Sequence, residues 1–398
     1  METKINLQKK LNSKLKIFKY YFKKIKILVI TIAVLFAVVY TLNLEYFVKG
    51  VRIVYLNGES TVFIDDLKYF DYETIESPEE KSPWKESENK TTNFSSEFED
   101  YNQKMGTAAY VVIHNDTIIG EKYYEDYSVN SSTNSFSMAK TFVSLMMAKA
   151  YEQGYIKSLE DKVINYIPDL KGEFASDVKI IDLAAMTSGL EWDEGTSNPF
   201  SPVAKQYFYE DVVKLMLDQP FIDAPGKTYH YSSGNTQILS MVIEKATGIK
   251  TNDYFEKEFW SKINPDNDAY WQIDSKESGN VKSFCCFHSN ARDFSRLGKL
   301  YLDNGSWNGS QIIDSTFIQK SLKPYLDDFD AYGIGVWLSN YKDLKISLMS
   351  GHQGQYVIMI PEKKLIITRL GKRDVDLGRP GVSPDVLVYI DEALKLID

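Results

Sequence analysis

Apolar residues follow three rhythms along this chain. The first is an unbroken run over residues 27–44, Ile-Leu-Val-Ile-Thr-Ile-Ala-Val-Leu-Phe-Ala-Val-Val-Tyr-Thr-Leu-Asn-Leu, 18 residues without a charge. Such a run just crosses a hydrocarbon core of roughly 30 Å and predicts a transmembrane helix. The rival reading is a cleaved signal peptide, but the run exceeds the usual ~7–15 residue core and no small-x-small site follows it. The second rhythm, short apolar stretches between turn residues, predicts strands. Residues 109–113 and 118–124 flank His114-Asn115-Asp116-Thr117 as a hairpin, 51–56 reads as a short strand, and 333–338, 356–360 and 365–370 add three more. The third rhythm is helical. Met138, Phe142, Leu145 and Met146 form one stripe on a helix over 136–150. Further helices are expected over 180–186, stopped by Thr187-Ser188-Gly189, over 236–247, stopped by Gly248, and over 289–303 and 384–397.

The order of these elements predicts one sheet built from both ends of a folded body, with a mainly helical region inserted between them, in an α/β arrangement. Four segments follow: a lysine-rich tail (1–26), the apolar anchor (27–44), an acidic and polar stalk or arm (45–106), and the folded body (107–398). The stalk is read from composition, as in Glu76-Ser77-Pro78-Glu79-Glu80-Lys81-Ser82-Pro83.

Charge sharpens the division. The net charge is −9, but residues 1–26 carry nine lysines against Glu2, which leaves about −17 on the remainder. An acidic body argues against nucleic acid as a partner, and lysines before the anchor place the N-terminus on the cytoplasmic side. Cys285 and Cys286 are adjacent and imply no disulfide framework. Four histidines without metal-ligand spacing give a metal site no support.

The candidate chemistry begins at Ser137-Met138-Ala139-Lys140. Residues three apart share a helix face, so the Ser137 hydroxyl and Lys140 amine are expected side by side. Burial lowers an ammonium pKa, and the freed amine can take the hydroxyl proton. Ser-x-x-Lys occurs six times here, at Ser13, Ser82, Ser87, Ser137, Ser176 and Ser339, and only Ser137 opens a strongly apolar helix. A capping serine with a solvated lysine would write the same pattern. Tyr231, in the turn-rich loop 224–235, is a candidate to share general-base work as a phenolate stabilised by Lys140, although a packed tyrosine is the ordinary fate among 27. Ser350-Gly351-His352-Gln353-Gly354-Gln355 precedes a strand, where an edge N–H could complete an oxyanion hole.

The ordered set Ser137-x-x-Lys140, Pro225-Gly226…Tyr231-x-Ser233 and Gly351-His352-x-Gly354 resembles the penicillin-recognising serine hydrolases. These include class C β-lactamases, D-alanyl-D-alanine carboxypeptidases, related esterases and 6-aminohexanoate-dimer hydrolases. Supporting stretches are Ile181-Asp182-Leu183, Met186-Thr187-Ser188-Gly189-Leu190 and Tyr231-Ser232-Ser233-Gly234-Asn235. Phe284-Cys285-Cys286-Phe287-His288-Ser289-Asn290-Ala291-Arg292-Asp293-Phe294 points to the 6-aminohexanoate-dimer hydrolase branch. The resemblance implies an antiparallel sheet flanked by helices. It makes Ser137 the acylated nucleophile, Lys140 its proton acceptor and Tyr231 the proton shuttle. The N–H groups of Ser137 and Gln355 become the oxyanion hole, and Ser233, His352 and Gly354 contact substrate. His352 stands where β-lactamases carry the lysine of Lys-Thr-Gly, and Ser233 stands where Tyr-x-Asn carries asparagine. Both changes weaken the expected grip on a β-lactam carboxylate. The implied protein is a membrane-anchored serine hydrolase acting outside the cytoplasm on a small-molecule or peptide amide or ester, without cofactor. A non-turnover sensor or scaffold, and an envelope D-peptide transpeptidase or carboxypeptidase, are the alternatives.

Overall fold

The computed structural model of the chain describes residues 1–195, 198–375 and 381–397. Its main sheet has seven strands, in the spatial order Trp337–Tyr341, Leu344–Gly351, Gln355–Ile360, Leu365–Gly371, Thr107–His114, Thr117–Tyr123 and Lys85–Thr91. All neighbours run antiparallel except the last pair, which is parallel. The strand Leu365–Gly371 pairs with Thr107–His114, so the two chain ends meet at the sheet centre as the order of elements predicts.

Central strands are buried on both faces, which is why they read as continuous apolar runs. Tyr110, Val112, Tyr356, Ile358, Leu365 and Ile367 pack outward against Phe98 and the C-terminal helix Asp385–Leu394. Val111, Ile113, Val357, Met359 and Ile366 point the other way, into the main core. The hairpin turn carries Asn115 and Asp116 at positive φ, a pairing that matches strand twist in two-residue loops.

A second sheet, in the order Tyr72–Ile75, Ala269–Gln272, Phe287–Ser289 and Thr133–Asn134, lies under the helical region. The helix Ala139–Glu152 follows it and is buried on every side from Ala139 to Ala150. It is therefore the central helix of the body, and the single stripe expected for it is corrected.

Residues 45–106 differ from the stalk expected on composition. The helix Glu45–Ile53 packs on Pro202–Phe208, where a strand was expected over 51–56. The strands Tyr72–Ile75 and Lys85–Thr91 join the two sheets, and Ser96–Lys104 is a helix on the main sheet. Widely spaced apolar residues, among them Ile53, Ile64, Ile75, Trp84 and Phe98, are buried. Several of the charges are paired, as in Glu86 with Arg292 and Glu99 with Lys122. An average over composition hides both features.

The N-terminal residues form a helix, Glu2–Thr41, whose apolar side chains over 27–36 are uncovered. Among the described residues no single helix is long and apolar enough to cross a membrane. One pair, Lys4–Thr41 with Glu45–Asn57, bent by 112°, meets that test by length and composition.

Candidate active site

Ser137 sits in a single 3₁₀ turn, Phe136–Met138, that runs into the helix Ala139–Glu152. The entry is strained, because Phe136 has φ +45°, a left-handed conformation uncommon for a residue with a Cβ. In this turn Ser137 is half-buried, while Lys140, one turn on, is only 2% exposed. Lys140 Nζ donates to Ser137 Oγ at 2.8 Å and to the Phe284 carbonyl at 3.0 Å. Burial lowers the Lys140 pKa to about 8, against a smaller upward pull from the Glu194 carboxylate. The amine is thus poised within reach of neutral pH, which is what a base for a serine hydroxyl requires.

Tyr231 closes the group. Its ring centre is 5.0 Å from Lys140 Nζ, and its hydroxyl hydrogen-bonds with Ser137. Tyr332 and Trp337 pack on the ring at 6.2 and 5.5 Å. Burial pushes the Tyr231 pKa well up, helped by Tyr332 and Glu194. Tyr231 therefore stays a neutral phenol, and the phenolate expected from the sequence is corrected. A phenol can both accept and give a proton, so it remains suited to relay one.

The loop before Tyr231 is tied down by the Met186–Gly189 turn. His230 N–H donates to the Met186 carbonyl at 2.8 Å, Gly226 N–H to Thr187 at 2.7 Å, and the Ser188 hydroxyl to Asn235 Oδ1 at 2.6 Å. These bonds give the Met-Thr-Ser-Gly and Tyr-Ser-Ser-Gly-Asn stretches a shared purpose. They fix where the chain turns into the helix Ser233–Thr247.

The strands Leu344–Gly351 and Gln355–Ile360 end against the Ser137 turn. Gly351 must be glycine there, since a Cβ would collide with the Ser135 carbonyl. His352 faces the Phe136 ring edge-on at 5.5 Å. Gly354, at φ +80°, and Gln353 offer their carbonyls to Arg369 Nη1, each at 2.8 Å, so a buried arginine sets this turn. The Gln355 side chain bonds both to the His352 carbonyl at 3.0 Å and to Gly371.

Ser233 is engaged by a carboxylate that the sequence reading missed. Glu194 Oε2 accepts from Ser233 N–H at 3.0 Å and from Trp192 Nε1 at 2.6 Å, and Oε1 accepts from the Ser233 hydroxyl. Glu-Trp-Asp-Glu in a polar loop carries no local signal for this pairing. Nor does the sequence announce the Phe284 carbonyl, which is main chain, or Arg369, which reads as one charge in a strand. Cys285 and Cys286, which follow Phe284, are joined in a vicinal disulfide, a bridge between neighbours that cross-links no distant segments.

A model of the beta-lactamase family matches residues 94–383. A 6-aminohexanoate-dimer hydrolase of Paenarthrobacter ureafaciens is 22% identical over 233 residues, covering 54% of this chain and 57% of that protein. Beta-lactamase-like protein 2 of Dictyostelium discoideum is also 22% identical, with 63% and 53% covered. The chain thus spans little more than half the length of these curated relatives. A solved Bacillus anthracis protein, provisionally described as a 6-aminohexanoate-dimer hydrolase, shares the fold with TM-score 0.69 at 20% identity, over 84% of this chain and 92% of that one.

Proposed function

This chain belongs to the beta-lactamase family, and on that footing we propose that it is a membrane-anchored serine hydrolase that cleaves an amide or ester through an acyl-enzyme on Ser137. The observation that carries the reading is the 2.8 Å contact between Ser137 Oγ and the buried Lys140 amine. Neutral Lys140 takes the Ser137 proton as Oγ attacks the substrate carbonyl. The oxyanion is received by the Ser137 and Gln355 N–H groups. As the intermediate collapses, Tyr231 passes the proton from Lys140 to the departing nitrogen or oxygen. Water then attacks the ester, giving its proton back along the same relay, and Ser137 is released.

His352 and Gly354 line the substrate side in this reading. Ser233 is recast: with its hydroxyl given to Glu194, it shapes the pocket rather than presenting a free donor. The carboxylate makes that wall acidic, which suits a neutral or amine-bearing substrate over an acidic one.

The anchor is supported by the charge-free run over 27–44 and by the uncovered apolar face it leaves, Phe36 being 67% exposed. Lysines before the run favour a cytoplasmic N-terminus and a body outside the cytoplasm.

Repeated turnover is the test of hydrolysis. Full-length protein in detergent, incubated with p-nitrophenyl esters and amides, is expected to release many equivalents of p-nitrophenol or p-nitroaniline per chain. Release that stops at one equivalent contradicts a hydrolase and fits a sensor that stays acylated.

A further inference from the structure

Residues 62–66 precede the family match, which begins at residue 94, yet they reach both sides of the nucleophile turn. The Ile64 carbonyl accepts from Asn134 N–H at 2.9 Å, and the Val62 carbonyl accepts from Gln353 Nε2 at 2.8 Å. Asp66 closes the strap and is wholly buried. Its Oδ1 accepts from Asn134 Nδ2 at 3.2 Å and Gln272 Nε2 at 3.0 Å, and its Oδ2 from the Tyr207 hydroxyl. His288 Nε2 lies 3.7 Å away and is kept neutral by burial; burial also lifts the Asp66 pKa to about 7, against the downward pull of these hydrogen bonds and of the field of the buried Lys282.

This arrangement leaves the Asn134 amide one orientation. Its Nδ2 faces Asp66 and the Tyr207 oxygen, 2.9 Å away, so its Oδ1 is left to accept from Phe136 N–H at 2.9 Å. That bond lands on the residue with φ +45° immediately before Ser137. A left-handed aromatic persists only when its surroundings over-determine it, and here the surroundings lead back to one carboxylate.

We propose that Asp66 is a positioning residue for the reaction: acting through Asn134, it holds the Phe136 turn that aims the Ser137 hydroxyl and N–H, while its strap braces the turn before Gln355. The proposal rests on Ser137 being the nucleophile. Without Asp66, nothing acceptor-only faces Asn134 Nδ2. The amide can then turn its Nδ2 toward Phe136 N–H and orphan a buried donor. The nucleophile would remain present but loosely aimed.

The test measures the second-order rate of fluorophosphonate labelling per folded molecule in the full chain, together with the melting temperature. Asp66→Leu removes the acceptor that faces the amides of Asn134 and Gln272 and is expected to slow labelling about tenfold or more. Asn134→Ala should slow it similarly, and the double variant no further, because the two act in series. Asp293→Asn, which breaks a buried ion pair with Arg296, supplies a destabilised control that labels at the wild-type rate. A purely structural Asp66 would lower the melting temperature as Asp293→Asn does and leave the rate unchanged, or give additive losses in the double variant; either result overturns the proposal. Should Asp66→Leu fail to fold, Tyr207→Phe decides, since it removes one hydroxyl from the network. Several-fold slower labelling is expected, and an unchanged rate overturns the proposal. Labelling that survives Ser137→Ala would instead remove the nucleophile itself, a separate failure.

Discussion

Phe284 presents its main-chain carbonyl to Lys140 Nζ at 3.0 Å. A carbonyl only accepts, so it holds one N–H of the amine. The lone pair of neutral Lys140 is then free to face Ser137 Oγ, 2.8 Å away. Burial supplies the neutral form and the carbonyl supplies its direction.

A pH dependence follows from the Lys140 pKa of about 8. The base form is the minor species at pH 7 and the major one at pH 9. The quotient kcat/KM for an activated ester should therefore rise with pH along a limb of apparent pKa near 8, since this quotient reports the free enzyme. A profile flat from pH 6 to 9 would mean that Lys140 is not the group being titrated.

Glu194 tests the same amine from the other side. Its charge raises the Lys140 pKa. Glu194→Gln can keep the local bonds, with the amide oxygen accepting from Trp192 and Ser233 N–H and the amide nitrogen donating to the Ser233 hydroxyl. Only the charge is lost. The acidic limb of kcat/KM should then move to lower pH, by a fraction of a unit to about one unit. A shift upward, or none, would show that this carboxylate does not act on Lys140.

Lys140 also carries a stability cost. In the native state it is deprotonated above about pH 8, whereas the unfolded chain holds the proton up to about 10.5. Between those values the unfolded state binds more protons, so stability rises with pH, and below pH 8 the full cost remains. Lys140→Met should abolish turnover yet raise the melting temperature at pH 7 by a few degrees. This reflects relief of about 1–3 kcal/mol after lost hydrogen bonds are counted. The gain should shrink as pH climbs from about 8 toward 10.5. Calorimetry at pH 7 and pH 10 checks the sign, and a less stable variant at pH 7 would refute it.

What could be read from the sequence was whatever repeats at short range. The hairpin over 107–123, the central helix, the glycine-stopped helix before Gly248 and the pairing of Ser137 with Lys140 all depend on neighbours within a few positions. The strand Leu344–Gly351 was missed because its polar residues, Lys345, Ser347 and Ser350, break the apolar run. The folded state of 45–106 was missed because its contacts lie far along the chain, as in Tyr72 opposite Gln272. The same holds within the site. Ser137 and Lys140 are legible, whereas Glu194, Phe284, Arg369 and Asp66 reach it only by tertiary packing. The phenol state of Tyr231 was misread because desolvation is a property of the fold.

The most direct measurement is peptide mapping after fluorophosphonate treatment of the full chain. One adduct, on the peptide bearing Ser137, absent in Ser137→Ala and strongly slowed in Lys140→Met, is the predicted result. An adduct on another residue, or equal labelling of the Ser137→Ala variant, would contradict a nucleophile made reactive by Lys140.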